Sequence, residues 1–93
     1  MNTNINRIIR NIYQGKNKFV LIIVDEDPLS VTLGNFVFMR VKQNLNVPTY
    51  IIDKDAALNI VETYNIKEYP TTLYFNHQHI TNKICGFKTL YSY

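Results

Sequence analysis

Apolar residues recur along this chain with changing period, and each change marks a structural element. Ile5, Ile8, Ile9, Ile12 and Tyr13 stand at i, i+3, i+4, i+7 and i+8, the spacing that gathers side chains on one side of an α-helix. Arg7, Arg10 and Asn11 then turn outward, Thr3 or Asn4 caps the start, and Gly15 ends the helix. Residues 19–24, Phe-Val-Leu-Ile-Ile-Val, form an unbroken apolar run rich in β-branched side chains, which suits a strand covered on both faces. Asp27 and Pro28 open a second helix, Asp27 as N-cap and Pro28 at the first helical position, where no backbone N–H is needed. Its inner stripe is predicted to hold Leu29, Leu33, Phe36, Val37, Val41 and Leu45, widened by Phe38 and Met39, and residues 44–46 close it. A strand follows over 47–52, with Pro48 confined to its beginning. Residues 53–55 cap a third helix whose inner face is Ala57, Ile60, Val61 and Tyr64. Two further strands, 71–75 and 80–87, are joined by the short polar link 76–79, which makes them an antiparallel hairpin.

The resulting order, helix–strand–helix–strand–helix–strand–strand, contains no repeat, linker or low-complexity stretch. Ninety-three residues make one domain, 1–93, of α/β class. Strand–helix–strand followed by a hairpin implies a mixed four-stranded sheet with flanking helices, parallel in one half and antiparallel in the other.

Composition narrows the function classes. A hydrophobic content of 46% is far too high for a disordered chain. The net charge of +3 is mild, and the ten basic residues are scattered; Lys16 with Lys18 and Arg40 with Lys42 are the nearest approach to a cluster. A nucleic-acid partner calls for a patch or stripe and is therefore not expected. The single cysteine, Cys85, excludes an internal disulfide and a multi-cysteine metal site. The N-terminus lacks a basic region followed by an apolar one, and the run 19–24 is far too short to span a bilayer. The chain therefore reads as soluble and cytoplasmic, with no membrane partner. Abundant Asn and Ile with no Trp suggest A+T-rich codons, as in low-GC bacteria, their phages and some large viruses.

Residues 64–75 read Tyr-Asn-Ile-Lys-Glu-Tyr-Pro-Thr-Thr-Leu-Tyr-Phe, and this stretch resembles the thioredoxin family around its cis-proline. The element order resembles that family over residues 5–87. By this resemblance Pro70 is the cis-proline, and Tyr69 is the residue whose backbone pairs with a bound peptide. Gly86 matches the glycine of the last strand, and Ile52-Asp53 matches the apolar-Asp step after the second parallel strand. The departures are as informative. Residues 24–30, Val-Asp-Glu-Asp-Pro-Leu-Ser, stand where the family carries Cys-x-x-Cys; the two cysteine positions fall on Glu26 and Leu29 or, one frame along, on Asp27 and Ser30. Attacking thiolate and resolving thiol are both absent, which removes the usual route of disulfide exchange. The family's first strand has no counterpart, and its C-terminal helix is missing: residues 88–93 make at most about a turn and a half.

These readings place a partner-binding surface at Glu26, Asp27 and Pro28, opposite Tyr69, Pro70 and Thr71, with no catalytic residue and no cofactor. Adjacent carboxylates at Asp25, Glu26 and Asp27 rarely converge on one cation. His77 and His79 lack a third ligand, so no metal is expected. Cys85 reads as an inert structural thiol. The resemblance thus implies a redox-inactive thioredoxin-like binding or accessory protein that holds a protein or extended peptide segment; one version has it phage- or virus-encoded and acting on a host protein in the host cytoplasm. The alternatives are a redox protein working through Cys85 or a partner's cysteine, and a nucleic-acid-associated accessory protein. Without a C-terminal helix, alternate residues of 71–75 and 80–87 face a thinly covered surface. That face, with Tyr91 and Tyr93 at its rim, is expected to be buried by a second copy or another partner, unless the tail folds back and closes it.

Overall fold

The computed structural model describes residue 10, residues 18–77 and residues 79–93. Apart from Arg10, which is helical and exposed, the first predicted helix lies outside the described residues. The apolar run becomes β1 (Lys18–Val24), fully embedded from Phe19 onward. It is followed by α1 (Pro28–Leu45), β2 (Thr49–Asp53), a 3-10 turn (Lys54–Ala57), α2 (Leu58–Thr63) and the hairpin β3 (Thr71–Asn76) and β4 (His79–Ile84). The strands form one mixed sheet in the order β2-β1-β3-β4, with β1 and β2 parallel and the other pairs antiparallel. Val24 lies opposite Asp53 and Ile23 opposite Thr71, so the loops leaving β1 and β2 and the loop entering β3 meet at one end of the sheet. No helix of the described residues is long and apolar enough to cross a membrane.

A core lies on each side of the sheet. Phe19, Leu21, Ile23, Leu73 and Phe75 point to one side, where Ala57, Ile60 and Ile66 close over them. Phe19 stacks on Phe75 with ring centroids 4.5 Å apart. Val20, Ile22 and Val24 point to the other side, against Val37 and Val41 of α1.

Helix α1 starts where its capping residues place it. The Asp27 carboxylate accepts from the Leu29 N–H at 3.1 Å, and Ser30 Oγ accepts from the Asp25 N–H at 2.9 Å. Only Val37 and Val41 of the predicted stripe are fully buried against the sheet. The residues against the sheet are Ser30, Gly34, Val37 and Val41, whereas Leu29, Phe36, Met39 and Leu45 are exposed. The physical reason is close approach: a Cβ at position 34 would overlap Val24 Cγ1 and crowd Ile51 Cδ1 at 3.3 Å. The smallest side chains face the sheet because the helix lies too near for large ones.

Two further expectations change. β4 ends at Ile84 instead of Phe87, because Gly86 adopts φ +71° and turns the chain out of the strand. The hairpin face expected to lie open is covered beside Ile84 from within the chain: Tyr93 is only 8% exposed and packs with Val20, Ile22 and Ile84. Its hydroxyl accepts from the Lys88 N–H at 3.1 Å and lies 3.4 Å from the Gly86 carbonyl. The Tyr93 ring thus covers this part of the sheet. Tyr91, two residues earlier, is 91% exposed.

Candidate functional site

The parallel register of β1 and β2 creates the first contact of the candidate site. With Val24 opposite Asp53, the next residues, Asp25 and Lys54, leave the sheet side by side, and Lys54 Nζ stands 3.6 Å from Asp25 Oδ1. Lys54 Nζ also lies 5.6 Å from the centre of the Tyr69 ring. One cation therefore links the loop before α1, the loop after β2 and the residue before Pro70. The Lys54 ammonium is held above its usual pKa, first by the charge of Asp25, against an opposing effect of burial and with smaller help from Asp55 and Glu26. The Tyr69 hydroxyl is pushed up by burial, partly offset by Lys54. The Asp25–Lys54 pair is about one-third open to solvent, so it positions these loops more than it stabilises the fold.

The Tyr69–Pro70 peptide bond is cis. Pro70 and Thr71 are fully buried, and the Thr71 hydroxyl donates to the Glu68 carbonyl. These two residues therefore shape the loop and leave the outward surface to others. Tyr69 is half-buried, and its hydroxyl lies 3.4 Å from the Ile66 carbonyl. Glu26, Asp27 and Pro28 are exposed at the mouth of α1. On the far side of the loop, a Cβ on Gly86 would meet Glu68 Oε2 at 2.7 Å, so the chain after β4 passes directly against residue 68.

Of the six residues expected to meet a partner, the fold brings all to one end of the sheet, four with surface to offer. It adds Asp25, Lys54, Asp55 and Glu68, which sequence reasoning left out of the site. The available signal was the Asp53-Lys54-Asp55 triplet directly after a parallel strand, read only as a helix cap. Asp53 does cap: its carboxylate accepts from the Asp55 N–H at 2.9 Å. The Asp25 carboxylate pairs with Lys54, those of Asp27 and Asp53 accept from backbone N–H groups, and among the described residues no three or more His, Cys, Asp or Glu side chains are grouped to hold a metal. His77 turns the hairpin with φ +57°, and His79 is exposed beyond it. Cys85 is half-buried just past β4.

Two cavities of the fold lie away from the contacts of Asp25, Lys54 and Tyr69. A cavity of about 290 Å³ lies at the opposite end of the sheet, between Lys18, Leu45, Val47 and Asn76. Another, of about 450 Å³, follows β4 and the tail past Lys83, Cys85 and Lys88. Neither is lined by Asp25, Glu26, Asp27, Lys54 or Tyr69. An open ledge with a loop edge suits an extended chain better than a small molecule.

No protein-family model and no curated protein matches the sequence. Solved structures do resemble it. Thioredoxin O2 from Arabidopsis thaliana, in its oxidised state, superposes with a TM-score of 0.76 at 19% identity, covering 95% of this chain and 79% of its own. A mutant thioredoxin from Halobacterium salinarum NRC-1 gives 0.75 at 10% identity over 99% of this chain and 80% of its own. Trxlp from Edwardsiella tarda EIB202 gives 0.74 at 4% identity, with 98% and 90% covered. At such identities the likeness is one of architecture, and it agrees with the sheet order, the helix leaving β1 and the proline that opens β3: the chain has a thioredoxin-like fold.

Proposed function

We propose that this protein binds an extended, basic segment of a partner protein at the acidic end of its sheet, and does so without redox chemistry. The observation that carries this reading is the placement of charge. In a chain of net charge +3, five of the seven carboxylates (Asp25, Glu26, Asp27, Asp53 and Asp55) stand at the end of β2 or in the segments that leave β1 and β2. Lys54, beside Tyr69, neutralises part of that charge, and Glu26, Asp27 and Asp55 are exposed to solvent. A segment laid along the Tyr69–Pro70 backbone would gain main-chain hydrogen bonds as an added strand does, and Lys or Arg side chains on it would reach the carboxylates. No sulfur lies between Val24 and Ser30, so the mouth of α1 offers charge and a proline where a dithiol would offer a nucleophile. A cytoplasmic accessory role follows, with a host protein as partner in the version that the Asn- and Ile-rich composition suggests.

Fluorescence anisotropy with labelled ten-residue peptides tests this. Lys/Arg-containing peptides should bind more tightly than Glu-substituted versions, and Glu26→Lys with Asp55→Lys should abolish the preference. Equal binding of both peptide sets would overturn the reading. So would insulin-disulfide reduction that disappears on Cys85→Ser, which would move the protein to redox chemistry.

A further inference from the structure

The outward face of α1 carries few of the charged residues usual on a surface helix. Of its eighteen residues only Arg40 and Lys42 are charged. Leu29, Phe36 and Met39 are 62%, 52% and 58% exposed. At about 100° per residue these three fall within about 80° of arc, turned well away from the buried line of Ser30, Gly34, Val37 and Val41. With Thr32 and Gln43 they form an uncharged run at 29, 32, 36, 39 and 43, spaced 3-4-3-4, which is the seam of an antiparallel or parallel helix pair. Of the eight large exposed hydrophobic residues among the described residues, five belong to α1, and Tyr91 joins the seam's edge through Arg40, whose guanidinium lies 6.0 Å from the Tyr91 ring centre.

From this we infer that two copies of the chain associate through α1, antiparallel, about a two-fold axis at Phe36. The seam is centred on that residue, so a two-fold there places Phe36 against the partner's Phe36, Leu29 against the partner's Gln43 and Thr32 beside the partner's Met39. The charges favour a second copy in this direction. The approach to α1 is acidic (Asp25, Glu26, Asp27) and its last turns are basic (Arg40, Lys42). Antiparallel pairing brings Asp27 within about one turn of the partner copy's Lys42, with Glu26 and Arg40 further along the same two ends, and the two helix dipoles run in opposition. Parallel pairing would set like ends together. The contact is modest in size: an eighteen-residue helix is about 27 Å long and stable interfaces bury about 800 Å² per partner, so the dimer is weak and reversible. The seam from Leu29 to Gln43 lies beyond the peptide-binding ledge and shares only its acidic end, Asp25 to Asp27, with it; the association through the seam does not depend on peptide binding.

Sedimentation equilibrium on the full chain, from about 1 µM to about 1 mM, tests the association. The mass should rise from 10.9 kDa toward twice that value. Phe36→Glu and, separately, Met39→Lys should each return it to 10.9 kDa with unchanged far-UV circular dichroism. In a Cys85→Ser background, Phe36→Cys should form a disulfide-linked dimer under a mild oxidant, because a residue on the axis meets itself, while Asn35→Cys should not. A monomer across the whole range would overturn the inference and leave the face to a foreign helix. A dimer unaffected by both charge substitutions, or equal cross-linking at positions 35 and 36, would overturn it as well.

Discussion

On the sheet-facing side of α1, Ser30, Gly34, Val37 and Val41 are buried although two of them carry almost no apolar surface; on the outward side, Leu29, Phe36 and Met39 keep more than half of theirs in solvent. Size, not hydrophobicity, sorts the two faces. The inward face is chosen by how near the helix must lie to β1 and β2, and the outward face keeps the large residues that do not fit. The tail repeats this contrast on a shorter scale: Tyr93 is buried on the sheet and Tyr91 stands in water. In both places, neighbours of similar chemistry hold opposite positions, so substitutions at adjacent residues separate what packing contributes from what hydropathy suggests.

The tail gives the largest contrast. Tyr93→Ala removes a buried ring and its two hydroxyl contacts, and should cost about 3 kcal/mol in urea unfolding. Tyr91→Ala, measured at low concentration, should stay within about 0.5 kcal/mol of the parent. Similar losses at both positions would show that the tail does not seal the sheet as described. Next comes Gly34→Ala. Alanine favours a helix over glycine by about 1 kcal/mol, but the added methyl meets Val24 Cγ1 and Ile51 Cδ1. Overpacking of this kind costs about 1–3 kcal/mol, leaving a net loss of about 1 kcal/mol, visible as a lower urea midpoint. A gain in stability would mean that α1 stands further from the sheet and that the two faces are not sorted by size.

Much of this arrangement was legible in the residues. The run 19–24, the Asp27-Pro28 start, the hairpin and the stretch 64–75 each carry their signal locally. Which face of α1 meets the sheet was legible only in part, because 29/33/36 and 37/41 are both apolar and periodicity joins them into one broad stripe, of which Val37 and Val41 face the sheet. The choice within that stripe is made by a contact between Gly34 and Val24, known only once the strand and helix are packed. Lys54 escaped for the same reason. It meets Asp25, 29 positions away, only through the parallel register of Val24 with Asp53. The strand end at Ile84 depends on a backbone angle at Gly86 that alternation does not encode.

A smaller effect is expected at the point that holds α1 in its rotation. Asp27 accepts from the Leu29 N–H, and its loss should cost about 1 kcal/mol in Asp27→Ala. Asp27→Asn keeps the acceptor and should recover most of that stability, losing only the interaction of charge with the helix N-terminus. If Asp27→Ala also alters the concentration dependence of mass, the exposed seam depends on how the helix is started. If it lowers stability alone, the two faces are set by packing further along the helix.

The smallest effect at neutral pH belongs to Tyr74, beneath the tail-covered side. Its ring packs against the core that contains Val20, Ile84 and Tyr93, and its hydroxyl is buried with no hydrogen-bond partner among the described residues. Replacing it with Phe removes an unpartnered polar atom and keeps the ring, so Tyr74→Phe should match or slightly exceed the parent at pH 7, within about 0.5 kcal/mol. The pH dependence is the sharper measurement. Burial raises the Tyr74 pKa above 10.0, with the nearby Tyr93 adding to it. In the unfolded chain the phenol ionises near its ordinary value, so above that pH the unfolded state holds fewer protons and stability falls as pH rises. Lys54 acts in the same direction: its raised pKa gives stability that is complete below 10.5 and is lost as pH climbs through the folded value. The parent should therefore weaken above about pH 10, and Tyr74→Phe should weaken less steeply, leaving the Lys54 and Tyr69 contributions. Identical alkaline limbs for the two proteins would mean that the Tyr74 hydroxyl reaches solvent, and that the tail leaves the sheet beneath it as open as the outward face of α1.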